Sequence, residues 1–312
     1  MKIPATFFNK DRKMTIFYFI GSALLFLTAC GQKANMVGQA SERKNDSLSV
    51  ELTMVWETEE EYLKTPECAT YDREKNVFYV SNLNRDNEID NDGYISIVNI
   101  DGSILTEKFV EGLGSPLGND FYNGHLFLND GANIIKINIE SGDIVERMAV
   151  EGASNLNGID IDNMGNIYAA DSRGNRIFKV TQTGKTSLLY EGEDLNSPNG
   201  VSVRGDELII ASFSGKKLLA LNLQNKQIRT LVENIGSADG IIQLEDGHFI
   251  TSSWSGELFF ISNDLKKQKI LDTSGEKINA ADIGFIPEEN ILVVPTFYDN
   301  RLMAYKITVH KF

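Results

Sequence analysis

Four oxygen-bearing side chains recur at similar points of a repeating unit: Glu67 in "PECATYD", Asn157 in "LNGIDID", Asn199 in "SPNGVSV" and Asp239 in "ADGIIQL". Asn or Asp followed by Gly is ordinary turn chemistry, which accounts for the last three without any ligand. Glu67 is a poor turn residue, and Cys68 follows it. If the four converge, two carboxylates and two amide carbonyls form an all-oxygen shell carrying two negative charges. Such a shell suits a hard divalent cation, Ca²⁺ first, with Zn²⁺ or Mn²⁺ as alternatives.

Convergence depends on the elements that carry them. Strand openings at Glu67, Asn119, Asn157, Asn199, Asp239 and Asp282 are separated by 52, 38, 42, 40 and 43 residues. Each opening is followed by a turn, an apolar run such as "NVFYVS" or "ELIIAS", and a third strand such as "KLLALNL". A fourth strand closes most units. Four short strands per roughly 40–45 residues is the period of a propeller blade. Helical periodicity is absent after the first thirty residues. The fold class expected is therefore all-β, a six-bladed β-propeller. The sixth unit lacks a fourth strand, and the alternation of Leu48, Val50, Leu52, Met54 and Trp56 supplies one, so that an N-terminal strand completes the last blade. In a propeller the first strand of each blade lines the central channel. Residues opening those strands would meet at one of its mouths.

The second strand of each blade returns to that mouth. Its end and the following loop carry Ser81, Asn82, Asp130, Asp171, Ser212, Phe213, Ser253, Trp254, Thr296 and Phe297. Asp171, Ser212, Phe213, Trp254 and Phe297 are the expected contacts to a small organic substrate, an apolar wall with polar groups beneath. Packing between blades is the other use of the aromatic residues. The insertion "NLNRDNEIDNDG", 82–93, lies on the same face and is expected to form a lid. It lacks the glycine and distal Glu of an EF-hand in register. No G-x-S-x-G occurs, and "GKT" at 184–186 lacks the first glycine of a P-loop. His125 and His248 are expected at the surface, away from the mouth.

The ends set the location. Lys2, Lys10, Arg12 and Lys13 precede an uncharged stretch, 14–29, that is shorter than the about 20 residues of a membrane span. Residues 27–30, "LTAC", resemble the bacterial lipobox, which makes Cys30 the expected lipidated residue. The expected organisation is a lipoprotein signal peptide over 1–29, a flexible tether over 30–46 and the propeller over 47–312. The implied location is the bacterial cell envelope, with the propeller outside the cytoplasm and anchored to a membrane by lipid. Removing 1–29 takes away four Lys or Arg and one Asp, leaving 26 basic against 43 acidic residues, a formal charge of −17. That charge argues against nucleic acid as a partner and for a cation. With Cys30 lipidated, Cys68 has no disulfide partner. A monomer is expected.

The glutamate in "PEC", the asparagines in "LNG" and "PNG" and the aspartate in "ADG" together resemble the regucalcin/gluconolactonase (senescence-marker-protein) family of six-bladed propellers. The stretch "INAADIGFIPEENILVVPTFYDNRLMAYKI" is similar to a bacterial subgroup of it. The resemblance covers essentially the whole chain after 1–29. It implies that Glu67, Asn157, Asn199 and Asp239 hold one divalent metal, and that the protein hydrolyses a lactone or related ester with Asp239 as base or nucleophile. Two residues depart from the family's pattern: Cys68 where Gly is common, and Gly158 where Asp is frequent. The alternative function is a non-enzymatic propeller that binds a ligand or partner and keeps a structural metal.

Overall fold

The computed structural model describes residues 48–85 and 91–312. The expected signal segment, tether and Cys30 lie outside the described residues, as does 86–90 of the insertion. The described chain forms six four-stranded antiparallel sheets. Blade one spans 66–113, blade two 116–149, blade three 156–191, blade four 198–233 and blade five 238–272. Blade six is assembled from both ends of this region. Strands Gly284–Ile286, Ile291–Pro295 and Leu302–Lys311 are completed by Leu48–Glu57, which pairs antiparallel with Leu302–Lys311. The ring thus closes through hydrogen bonds between sequence-distant strands, and the outer edge of Leu302–Lys311 is covered. Val50 is buried, and Leu48 and Leu52 pack beside it against blade five residues. A register shift between Met54 and Trp56 breaks the alternation, which leaves Met54 half-exposed and turns Trp56 onto the layer shared with blade one.

The core is six apolar layers, one between each pair of adjacent blades. Ile135, Ile137, Leu126 and Leu128 of blade two meet Val77, Tyr79 and Ile95 of blade one. Ile250, Leu258 and Phe260 of blade five meet Leu292, Val294 and Tyr305 of blade six. Both faces of each sheet are covered, so the second and third strands read as continuous apolar runs. A seventh, smaller cluster of Leu83, Leu117, Ala281 and Phe297, with Trp254 against it, lies at the channel mouth rather than between blades.

The Asn-Gly and Asp-Gly pairs are not turns. They lie inside the first strands, within Leu156–Ile161, Pro198–Arg204 and Ala238–Gln243. At each pair the register with the second strand shifts, so two residues oppose one. Such a bulge re-aims the side chain it carries. The glycine has a separate cause. A Cβ on Gly158 would stand 2.3 Å from the carbonyl oxygen of Asn199, and one on Gly200 would stand 2.1 Å from that of Asp239. The inner strands of successive blades approach so closely that only glycine fits between them. Blade one has Cys68 at this place, and its Sγ instead bonds the Asn119 backbone, accepting from N–H at 3.4 Å.

This geometry predicts the effect of one added methyl group. Gly200→Ala should lower stability by at least the roughly 1–3 kcal/mol typical of overpacking, because the obstructing atom is backbone and cannot rotate away. Urea denaturation measures it directly. A midpoint equal to wild type would mean that blades four and five separate freely.

Candidate functional site

The bulges deliver one side chain per blade to the mouth. In blade one the register shifts between Pro66 and Cys68, which isolates Glu67. In blades three, four and five the bulged residues are Asn157, Asn199 and Asp239. In blade two the shift lies between Pro116 and Asn119, which makes Leu117-Gly118 the equivalent pair. The opening assigned to Asn119 from sequence is therefore two residues late, and the spacings of 52 and 38 become 50 and 40. In blade six the equivalent position is Asp282, whose N–H donates to the Glu67 carbonyl at 2.8 Å. The mouth is thus polar at every blade except blade two, where Leu117 brings in the apolar cluster.

Glu67 and Asp239 are buried, with 4% and 2% of their surfaces exposed. The Asn199 amide nitrogen donates to Asp239 Oδ2 at 3.2 Å, which joins blades four and five. Glu67 Oε2, Asn157 Oδ1 and Asp239 Oδ1 are buried without any hydrogen-bond donor. Asn119 Oδ1 and Asn129 Oδ1 are in the same condition. Buried acceptors are normally satisfied, so a group of them on neighbouring inner strands demands an explanation. Among the described residues, no three His, Cys, Asp or Glu side chains form a metal-holding cluster. Whatever satisfies this set must be shared between carboxylate and amide oxygens, which fits a hard cation with few protein charges around it.

Electrostatics agree with that donor set. Burial, then the charges of Asp239 and Asp282, hold the Glu67 carboxyl well above its ordinary range, and Arg85 opposes them. Burial and then Asp282 raise Asp239 in the same way, against the Asn199 hydrogen bond. Burial lifts Asp282 to about 6. Burial also raises the Cys68 thiol, which stays protonated. Without a counter-charge, ionising this group of acids at neutral pH costs folding free energy.

Sequence reasoning missed the supports of this set. Asn129, on the second strand of blade two, donates its amide to the carbonyls of Asn157 at 2.7 Å and Gly158 at 3.2 Å and so fixes the blade-three bulge. Its only signal was an Asn directly after the apolar run Leu126 to Leu128. The expected substrate contacts divide in two. Asp171 is fully buried and its carboxylate accepts from Ser154 N–H, Ser154 O–H, Asn155 N–H and Gly174 N–H. Ser212 donates to the carbonyl of Leu195 at 2.6 Å. Both polar groups pin the loop entering their own blade, as Asp130 does by accepting from Gly114 and Ser115. The aromatic residues do come together. Phe213 and Trp254 are 6.5 Å apart, and Trp254 meets Phe297 edge-on at 4.5 Å. Tyr298, unforeseen, extends the wall at 4.8 Å from Phe297 and is largely exposed. Phe297 itself is buried, a packing residue more than a contact. His248 is also buried rather than at the surface, its Nδ1 accepting from Asn263 N–H at 2.8 Å.

A cavity of about 530 Å³ opens at the opposite end of the channel, lined by residues that include Tyr71, Asp120, Asp160 and Gln243. Its polar groups tie blades together. Asp120 of blade two accepts from Ile161 N–H of blade three, and Asp160 of blade three from Val203 N–H of blade four. Gln243 of blade five donates back to the Val203 carbonyl.

Fold and site together define a six-bladed β-propeller whose channel mouth is lined by buried, unsatisfied oxygens. No family model matches the chain, and no curated protein matches it. Solved structures do. A gluconolactonase from Xanthomonas campestris superposes with a TM-score of 0.66 at 14% identity, over 82% of this chain and 89% of its own. A streptogramin B lyase gives 0.61 at 14% identity, over 84% and 98%. An inactive virginiamycin B lyase from Staphylococcus aureus with quinupristin gives 0.59 at 13% identity, over 83% and 99%. At these identities the likeness is one of fold.

Proposed function

We propose that the chain is a divalent-cation-dependent hydrolase of a lactone or related ester, acting at the mouth where Glu67, Asn157, Asn199 and Asp239 open their blades. The observation that carries the reading is the set of buried acceptors without donors, Glu67 Oε2, Asn157 Oδ1 and Asp239 Oδ1. The gluconolactonase among the fold's neighbours makes lactones the first substrates to try. A cation held by these four residues, Ca²⁺ first, would polarise the ester carbonyl when bound.

The two carboxylates have different work. Cys68 beside Glu67 packs its thiol on the Asn119 backbone, leaving no room there for a substrate group. Glu67 therefore only coordinates. Asp239 has Oδ2 held by Asn199 and Oδ1 without a donor, so Oδ1 is the atom left to act. Asp239 Oδ1 takes a proton from water as the water oxygen bonds to the acyl carbon. The acyl C–O bond then breaks, and the proton returns to the departing oxygen, so lactone and water give the hydroxy acid. Direct attack by Asp239 is the other route, through an acyl-enzyme that water then cleaves. Trp254 and Phe213 flank the site and exclude water from one side.

The 2% exposure of Asp239 also favours a second reading, in which the cation is structural and the mouth binds a ligand without turnover. A screen of aldonolactones, aryl esters and phosphotriesters with Ca²⁺, Zn²⁺ and Mn²⁺ separates the two. Turnover that chelator abolishes supports the hydrolase. Bound metal with no turnover across the screen supports the binding module.

The lipid anchor at Cys30 belongs to the same proposal, with the propeller a monomer outside the cytoplasm and small molecules, not nucleic acid, as partners. Labelled fatty acid should enter the wild-type chain and not Cys30→Ser. Equal labelling of the two, or none in either, removes the anchor.

A further inference from the structure

The mouth holds an arginine that the hydrolase reading leaves unused. Arg85 follows the second strand of blade one, and its guanidinium lies over the Phe297 ring, 5.8 Å from the centroid. Its backbone is fixed: Arg85 N–H donates to Thr65 Oγ1 at 3.2 Å, Asn84 N–H to the Lys64 carbonyl at 3.0 Å, and Leu83 N–H to the Thr65 carbonyl at 3.1 Å. The ring beneath it is fixed as well. Phe297 is buried among Leu83, Leu117 and Ala281, against Trp254.

Two other arginines of this face are held in ion pairs among the described residues. Arg301 is held by Glu57 at 2.8 Å and Asp299 at 2.7 Å, and Arg176 by Glu191 at 2.8 Å. Arg85 makes no ion pair with any described residue, in a chain with 44 acidic residues and a net charge of −14. A guanidinium stacked on a rigid ring and not paired to a described carboxylate is placed to grip a planar oxyanion through two parallel hydrogen bonds. The acidic floor repels an anion placed over it, so a rim cation also decides which way round an anionic ligand enters. Beside Arg85 the half-buried Trp254 and exposed Tyr298 offer an apolar surface for the rest of that ligand.

We propose that Arg85 forms an anion subsite at the mouth, and that the substrate is a lactone or ester bearing a carboxylate, with its apolar body on the Trp254–Tyr298 wall. The second half of this inference rests on the hydrolase reading; the subsite itself does not.

Binding of two non-hydrolysable probes tests the subsite without any turnover. Phenylacetate carries the anion, and phenylacetone is its neutral counterpart. Isothermal titration of the full chain in Ca²⁺ buffer should find phenylacetate bound about tenfold more tightly, as a charge-assisted pair gives. Arg85→Gln should reduce the preference to less than about twofold, Arg85→Lys should keep part of it, and rising salt should weaken it. Arg173→Gln, a change to an exposed arginine after the second strand of blade three, should leave it intact. Equal binding of the two probes, binding of neither at their solubility limits, or a preference that survives Arg85→Gln overturns the subsite. None of these outcomes bears on whether the protein hydrolyses lactones, which the substrate screen decides separately.

Discussion

Asp239→Asn is expected to abolish most of the hydrolysis while leaving the fold and a weakened cation site in place. The substitution keeps an oxygen at Oδ1 and nearly the same volume, and removes the group that accepts a proton or attacks. The loss should be the ~10²–10⁴-fold typical of a missing acid–base group. Two neighbours bear on how the variant reads out. Asn199 donates to Asp239 Oδ2 at 3.2 Å, and with the variant's single oxygen kept at Oδ1 its amide nitrogen faces that donor, which adds to the weakening of the cation site. Gly240 N–H is already satisfied by Ser252 Oγ at 2.8 Å, so the bulge does not depend on the charge of Asp239. The measurements are kcat/KM on whichever substrate the screen identifies and cation affinity by calorimetry. Near wild-type turnover in metal-loaded Asp239→Asn excludes Asp239 from the chemistry. Loss of turnover together with complete loss of metal would leave Asp239 a ligand only, and Glu67→Asp would then show whether binding alone governs rate.

The architecture was legible because it is periodic. Six units of similar length, each with apolar runs of strand type, admit few folds, and the alternation from Leu48 to Trp56 had no other blade to complete. The site was legible to the extent that it shares this period. Glu67, Asn157, Asn199 and Asp239 were found because their blades all place a polar residue in the bulge. Blade two was misread because Leu117 is apolar there and Asn119, two residues on, looked like the polar opening. The reliable marker was the glycine. Gly118, Gly158, Gly200 and Gly240 each avoid a clash with the next inner strand, a constraint set by the backbone of the ring and indifferent to the side chain that precedes it. Asp171 and Ser212 show a different limit. A polar residue at the end of a second strand looks the same in sequence whether it faces a ligand or holds the loop behind it, and only the hydrogen bonds to Ser154, Asn155 and Leu195 tell the two apart. Arg85 had no periodic counterpart, so nothing in the repeat drew attention to it.

The second large effect is an unusual response of stability to pH. Asp282 has a folded pKa of about 6 against an ordinary 3.8, and Glu67 and Asp239 are raised as well. Between these values the folded chain binds more protons than the unfolded chain. Stability therefore falls as pH rises through that interval, the reverse of the usual behaviour of carboxylates paired in the native state. For Asp282 the linkage amounts to at most about 3 kcal/mol, less to the extent that channel water reaches it. A cation at the mouth reverses the trend, because it binds the ionised acids and adds roughly 2.7 kcal/mol when free metal is a hundredfold above Kd. In chelator, the melting temperature should drop from pH 5 to pH 7.5. With Ca²⁺ it should hold or rise over the same range, and the two curves should meet near pH 5, where protons compete with the cation. Asp120 and Asp160 at the other end of the channel are also raised, chiefly by burial, and act equally with and without the cation, so the comparison of the two curves removes them. Asp264 and Asp272, each lowered to about 2 by Lys and Ser hydrogen bonds, act only at still lower pH. Glu67→Gln separates the contributions. It removes a group that is costly to ionise at neutral pH, so the chelated variant should melt above chelated wild type at pH 7.5, yet gain little from Ca²⁺. A residue that only packs the channel would be destabilised by the same change and would leave the Ca²⁺ response intact. Superimposable pH profiles with chelator and with Ca²⁺ would remove the cation from the mouth altogether, since the acids at the inner strands then titrate without it.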